Sequence, residues 1–486
     1  MVRLRAGWGP VAARPGSGDP GGQGSPMPAS DILGERDAAH LLRRAGFGAS
    51  LRERERFAEM TRAEAVDALL AAPASRARGK GTYKSDFIYL ERLRAWWLKR
   101  MLSPRYRLQE KLVLFWHDHF PSAWSLPVRL DLLAEQNATF RLHGLGSFRE
   151  LVYRVTRDKA MLEYLDGRRN RKGEVNENYA RELMELFTLG PLDEAGNDNY
   201  QLSDVIALAR SLTGFYFDSS TKPEARMYPN FFDDGSKLLF AGRSFERSGV
   251  LGVERPDGTQ FPPETNVLDA LFAHRDTLGR PTLARFLTRK LWAWFATPTA
   301  DGALVDELSA GFVASGYQVG ALLRALLTHD AFYAEEARRS TPKNPVKFAL
   351  QALLALGAKS KGPQLGELLS RMGMELLDPP GVEGWQHGPA WLASSRYLAR
   401  MELAQALASG RGKNGFSWKP KPAVGATPEA LVDDALARLG LEVSAATRQV
   451  AIDYVSRGEP GSPAWLETQY RGLFVLLLSL PEAQVH

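Results

Sequence analysis

The stretch "NENYARELMELFTLGP", residues 176–191, carries the period on which the fold reading rests. At ~100° per residue, Leu186, Tyr179, Leu183, Phe187, Ala180 and Met184 fall on one apolar arc of a helix. Glu177, Thr188, Arg181, Glu185, Asn178 and Glu182 fall on the other. Asn176 suits a helix cap, and Gly190 followed by Pro191 suits a stop. Arg181 and Glu185, one turn apart, are expected to pair weakly if this polar face is solvated. If it instead lines a cleft, its paired carboxylates could share a proton or hold a hard cation.

The same spacing of three and four recurs outward in both directions. It predicts helices at about 85–102, 105–120, 127–143, 147–155, 203–212, 265–276, 281–296, 303–314 and 318–329. Others follow at about 343–357, 364–373, 394–409, 428–439, 444–457 and 463–479. The period is lost from Phe215 to Pro263, an aromatic and Gly-rich run. The fold class expected is therefore mostly α, a multi-helical globular protein with one long irregular or short-hairpin insertion at about 215–263. So long an insertion is usually functional. It is expected to lie over or beside the polar stripe, bringing Asp233, Asp234 and Lys237. No constant repeat argues for a solenoid.

The chain has 486 residues, 44% hydrophobic and 24% charged, which suits an ordinary globular core. It contains no cysteine, which excludes disulfides, thiolate metal sites and a cysteine nucleophile. The longest apolar runs, such as "LFVLLLSL" at 473–480, fall short of the ~20 residues that span a bilayer. Residues 1–30 are rich in Gly, Pro and Ser without the apolar block of a signal peptide. They read as a disordered leader, with Met27 as an alternative start and a cytoplasmic location expected. A main helical domain at 31–410, a linker at 411–427 and a C-terminal helical unit at 428–486 packed on the main domain complete the expected organisation.

Residues 1–110 hold 20 Lys and Arg against 12 Asp and Glu, so the rest is slightly acidic within a net charge of +6. Runs such as "RERER" at 52–56 interleave the signs. No nucleic-acid motif accompanies them, and a nucleic-acid partner is not expected.

Two other groups carry chemistry. In "LFWHDHF", His117 and His119 sit two residues apart, ~160° around a regular helix, and cannot chelate one ion. His119 shares a stripe with Leu108, Leu112 and Phe115, as a core histidine would. The loop "DPPGVEGWQHGPAW" fixes Trp385 and Trp391 on a rigid turn, where they could stack on sugars or cap a core. A GxSxG elbow, a phosphate-binding Walker loop, an HExxH pair and a dinucleotide-binding glycine fingerprint are all missing.

Taken in order, "AAHLLRRAGFG", "KLVLFWHDHF", "QNATFRLHGLGSFRELV", "NENYARELMELFTLG", "LSDVIALARSLTGF", "DDGSKLLFAG" and "MGMELLDPPGVEGWQHGPAWL" resemble the bacterial family catalogued as domain of unknown function 1800. The resemblance covers nearly the whole chain after about residue 35. It implies a helical protein, often exported and often encoded beside an alkaline-phosphatase- or sulfatase-like partner. Many members carry histidines where Phe187 and Phe232 stand here, so this chain lacks two groups that could bind a ligand or carry a proton. A family defined by the run at 176–182 also implies fixed partners for those side chains.

The resulting expectation is a hydrolase in which Glu182 or Glu185 acts as general base and His117 or His119 transfers a proton. Arg141, Arg181 or Lys237 would hold an anionic group, with Asn176, Glu177, Asn178, Asp204 and Trp385 completing the binding set. The rivals are a non-catalytic scaffold for a partner protein or anionic polymer, and a carbohydrate-binding protein using Trp385 and Trp391. Glu182 and Glu185, with Asp204 and a histidine, could meet at a cation. Arg181 beside them already neutralises charge, and neither a metal nor another cofactor is expected.

Overall fold

The computed structural model of the chain describes residues 32–77, 79, 87–126, 128–218, 224–255, 257–360, 363–410, 415–423 and 425–486. The expected leader lies outside these residues, as do positions 411–414 and 424 of the expected linker. The protein is mostly α, and the periodic segments form helices within a few residues of their expected bounds: Phe87–Met101, Arg107–His119, Leu130–His143, Leu202–Ser211, Thr282–Phe295, Ser394–Ser409. Among the short helices that were not expected is Lys159–Tyr164. Six residues are too few to show a period, although Asp158 caps it by accepting the Met161 N–H.

The Arg107–His119 helix is buried along its whole length. Its charged residues tolerate this because each finds a partner. Both carboxylate oxygens of Glu110 accept from Arg141, at 2.6 and 2.7 Å, and also receive Arg100 and the Trp97 indole. Arg107 donates to the Gly48 carbonyl and to Glu53, at 2.7 and 3.0 Å.

Several helix C-termini meet beside this core, and buried cations cover their free carbonyls. The Gly34–Arg44 helix ends on Lys111, which donates to Arg44 O, and on Lys347, which donates to Arg43 O. Arg44 in turn donates to Phe295 O at the end of Thr282–Phe295. Burial, reinforced by neighbouring cations, holds the Lys111 and Lys347 ammonium groups well below the usual lysine range.

The insertion forms two small antiparallel ladders, Phe215–Tyr216 with Arg226–Met227 and Lys237–Leu239 with Arg247–Gly249. It docks on the Leu202–Ser211 helix. Arg210 grips Asp233 at 2.7 Å, and Asp204 accepts the Phe240 N–H at 2.6 Å. In the C-terminal part, Pro428–Leu439 packs against Pro345–Leu356, and Arg471–Leu478 packs against Ser394–Ser409.

Candidate functional site

The helix of the polar stripe is not regular. Asn178–Glu182 is α-helical, and Leu183–Thr188 widens into a π-helix. Such widened turns often accompany functional sites. Asn176 builds the entry, as its sequence position suggested: its Oδ1 accepts the Asn178 N–H at 2.9 Å. Its own N–H is held by Asn170. At the exit, the N–H groups of Leu189 and Gly190 both turn back to Met184 O. Two other carbonyls of the widened turn are taken by side chains from elsewhere. Lys290 Nζ donates to Leu186 O at 3.2 Å, and His119 Nε2 donates to Phe187 O at 3.0 Å.

The stripe is partly sheltered. Asn178 is exposed, while Glu177, Arg181, Glu182 and Glu185 are half-buried. Arg181 pairs with Glu177 at 2.8 Å, not with Glu185 as the regular wheel suggested. The Tyr200 hydroxyl reaches Glu185 at 3.4 Å. The Glu182 carboxylate has no hydrogen-bond or ion-pair partner among the described residues. Burial, the Glu185 charge and Glu383 push it up to about 7, against the pull of Arg181. The Tyr164 hydroxyl nearby is likewise unpartnered among the described residues. Burial and the charges of Asp378 and Glu182 push that hydroxyl up to about 12. Asp378 is fixed by the N–H and hydroxyl of Ser125, at 2.9 and 2.6 Å.

The two histidines expected to carry protons are enclosed. His117 meets Trp97 and Trp385 edge-on, at centroid distances of 5.7 and 5.4 Å, and burial lowers it to about 4 despite Asp118. His119 stacks on Phe115, and burial together with Lys290 keeps it well below the usual histidine range. Both are neutral at pH 7, so the expected proton carriers are core groups.

Other members of the expected set stand apart. Arg141 is engaged entirely by Glu110, Asn137 and the Ala77 carbonyl. Asp204 closes its own helix start, accepting the Gln201 N–H at 2.8 Å, and anchors Phe240. Lys237 donates to the Asp233 and Gly235 carbonyls, and burial lowers it to about 8. The insertion therefore flanks the stripe's neighbouring helix, and Lys237 serves the insertion itself. Trp385 and Trp391 are 3% and 2% exposed, too buried to stack on a sugar. Phe187 packs on His119, Phe120 and Tyr179, on the core side, so it displaces nothing from the Glu182 stripe. Among the described residues no group of three His, Asp or Glu side chains is placed to hold one metal ion.

A pair that the sequence reading passed over lies beside the stripe. Asp118, between the two histidines, stands 3.0 Å from His387 Nε2 and accepts the Trp385 N–H at 2.8 Å. Burial disfavours the His387 imidazolium, but the charge and hydrogen bond of Asp118 outweigh it and raise the imidazole above its usual value. The signal was present as an acid in "HDH" and a histidine in "WQHG", but nothing local joins them.

The chain is a helical protein with a half-buried carboxylate stripe on a π-turn. The chain belongs to the family described as "Protein of unknown function (DUF1800)", whose model matches residues 40–485. No curated protein and no solved structure matches it. No helix among the described residues is long and apolar enough to cross a membrane.

Proposed function

We propose that the protein is a hydrolytic enzyme in which Glu182 is the acid/base group. The supporting observation is a half-buried carboxylate with no hydrogen-bond or ion-pair partner among the described residues, one turn from Glu185. Two neighbouring carboxylates in unlike environments are the usual means of keeping one proton in place near neutral pH. A group that titrates near 7 both accepts and returns a proton efficiently there. Glu185, held by Tyr200, supplies the neighbouring charge. The test is a panel of chromogenic esters, glycosides and phosphoesters with wild type and Glu182→Gln. Activity lost by about 100-fold in a variant that still melts like wild type supports the reading, and unchanged activity removes it.

A scaffold role is the second reading, supported by the structural engagement of Arg141, Asp204 and Lys237. A protein partner, including one of the alkaline-phosphatase type, suits that reading better than an anionic polymer. Among the described residues of the basic N-terminal stretch, several cations pair with acids from later in the chain: Arg36 with Glu335, Arg62 with Asp330 and Arg94 with Glu375.

A further inference from the structure

We propose that Asp118 and His387 form a proton-transfer dyad for the hydrolysis of neutral carboxylic esters, using groups different from those of the Glu182 reading. The geometry is that of a base oriented by a buried acid. Asp118 lies in the last turn of the buried Arg107–His119 helix, and its Oδ1 is fixed by the Trp385 N–H. Gly384 brings the loop backbone onto the same carboxylate. Its φ is +78°, and a Cβ there would lie 2.4 Å from Asp118 Oδ1. His387 Nε2 faces Oδ2 at 3.0 Å, so that nitrogen carries hydrogen toward the acid. Nδ1 is then the basic nitrogen. It has no partner among the described residues, on a side chain 40% exposed.

Donors for a developing oxyanion stand on the Thr282–Phe295 helix. Lys290 and Trp294 are one turn apart. The Trp294 ring is 5.9 Å from that of His387, and its buried indole N–H has no acceptor among the described residues. Burial lowers Lys290 to about 8, and the Asp118 charge opposes that loss of the ammonium form. Preorganised donors of this kind act on charge that appears only during the reaction. The surroundings select the substrate class. The Asp118 charge beside His387 disfavours an anionic ligand, whereas a neutral ester becomes anionic only at its carbonyl oxygen.

In the reaction, His387 Nδ1 takes a proton from water as the water oxygen bonds to the ester carbon and the carbonyl π pair moves onto oxygen. The oxyanion then re-forms the carbonyl, the carbon–alkoxy bond breaks, and Nδ1 returns the proton to the leaving alkoxide. Acid and alcohol result, with no change of oxidation state. His387 is the catalytic residue, and Asp118 is a positioning residue.

The test uses the full chain and p-nitrophenyl acetate, with long-range proton–nitrogen NMR spectra of the imidazoles. Wild type should hydrolyse the ester above the buffer rate, increasingly as His387 loses its proton. His387→Gln should lower the rate by about 100-fold. Asp118→Asn should lower it and move the His387 titration to lower pH, while wild-type melting is kept. If Asp118→Asn does not fold, His387→Gln decides the matter, since its side chain is partly in solvent. Wild type at the buffer rate, His387→Gln as fast as wild type, or a His387 titration unmoved in folded Asp118→Asn overturns the proposal.

Discussion

Lys290 donates to Leu186 O at 3.2 Å, joining the Thr282–Phe295 helix to the π-turn that carries Glu182 and Glu185. The bond exists because the widened turn leaves that carbonyl free for a side chain from another helix. Lys290→Met should cost about 1 kcal/mol, the net worth of a typical hydrogen bond, since this one is only part-buried. Urea unfolding would measure it. The same variant should raise the His387 titration, since the Lys290 charge opposes a second cation there. An unchanged imidazole spectrum would separate the two groups.

Arg141 and Glu110 form a buried bidentate pair with both side chains at 0% exposure. Arg141→Met leaves a buried carboxylate with fewer donors and should destabilise by about 3–5 kcal/mol. The double replacement Arg141→Met with Glu110→Met should recover much of that. A loss of substrate binding without loss of stability would instead return Arg141 to the binding set.

Glu182 and His117 make opposite contributions to acid stability. Glu182 is raised to about 7, so the folded state holds its proton more tightly than the unfolded chain. Its contribution is fully present below the unfolded value near 4.5 and is lost as pH rises through about 7. His117 is lowered to about 4, so the unfolded chain binds the proton more tightly. Its contribution is present above 6.5 and lost as pH falls through about 4. Urea midpoints between pH 4 and 8 should therefore depend less steeply on pH in His117→Phe at the acid end. Glu182→Gln should remove a component that declines toward neutrality.

Gly384→Ala should disturb the loop and the His387 pair together. The φ of +78° disfavours any side chain, and the added Cβ meets Asp118 Oδ1. A cost of about 1–3 kcal/mol is expected for such backbone strain, with a lower His387 titration. Wild-type melting and an unchanged imidazole spectrum would show that the loop does not depend on this close approach.

The sequence by itself determined the helical architecture, because period, caps and stops act over neighbouring turns. Asn176 at the entry and Gly190 at the exit of the polar helix were legible for that reason, as was the irregular insertion after Phe215. The burial of His119 was also legible, since it shares a stripe with Leu108, Leu112 and Phe115. Only the tertiary structure decided which polar groups are free. The wheel joined Arg181 to Glu185, but the structure joins it to Glu177. Residue types placed Arg141 and Lys237 in the site, but Glu110 and the insertion's own carbonyls engage them. Asp118 and His387 lie far apart in the chain, and no local preference links them. A buried charge takes whichever partner packing brings within reach, and that choice depends on how distant helices meet.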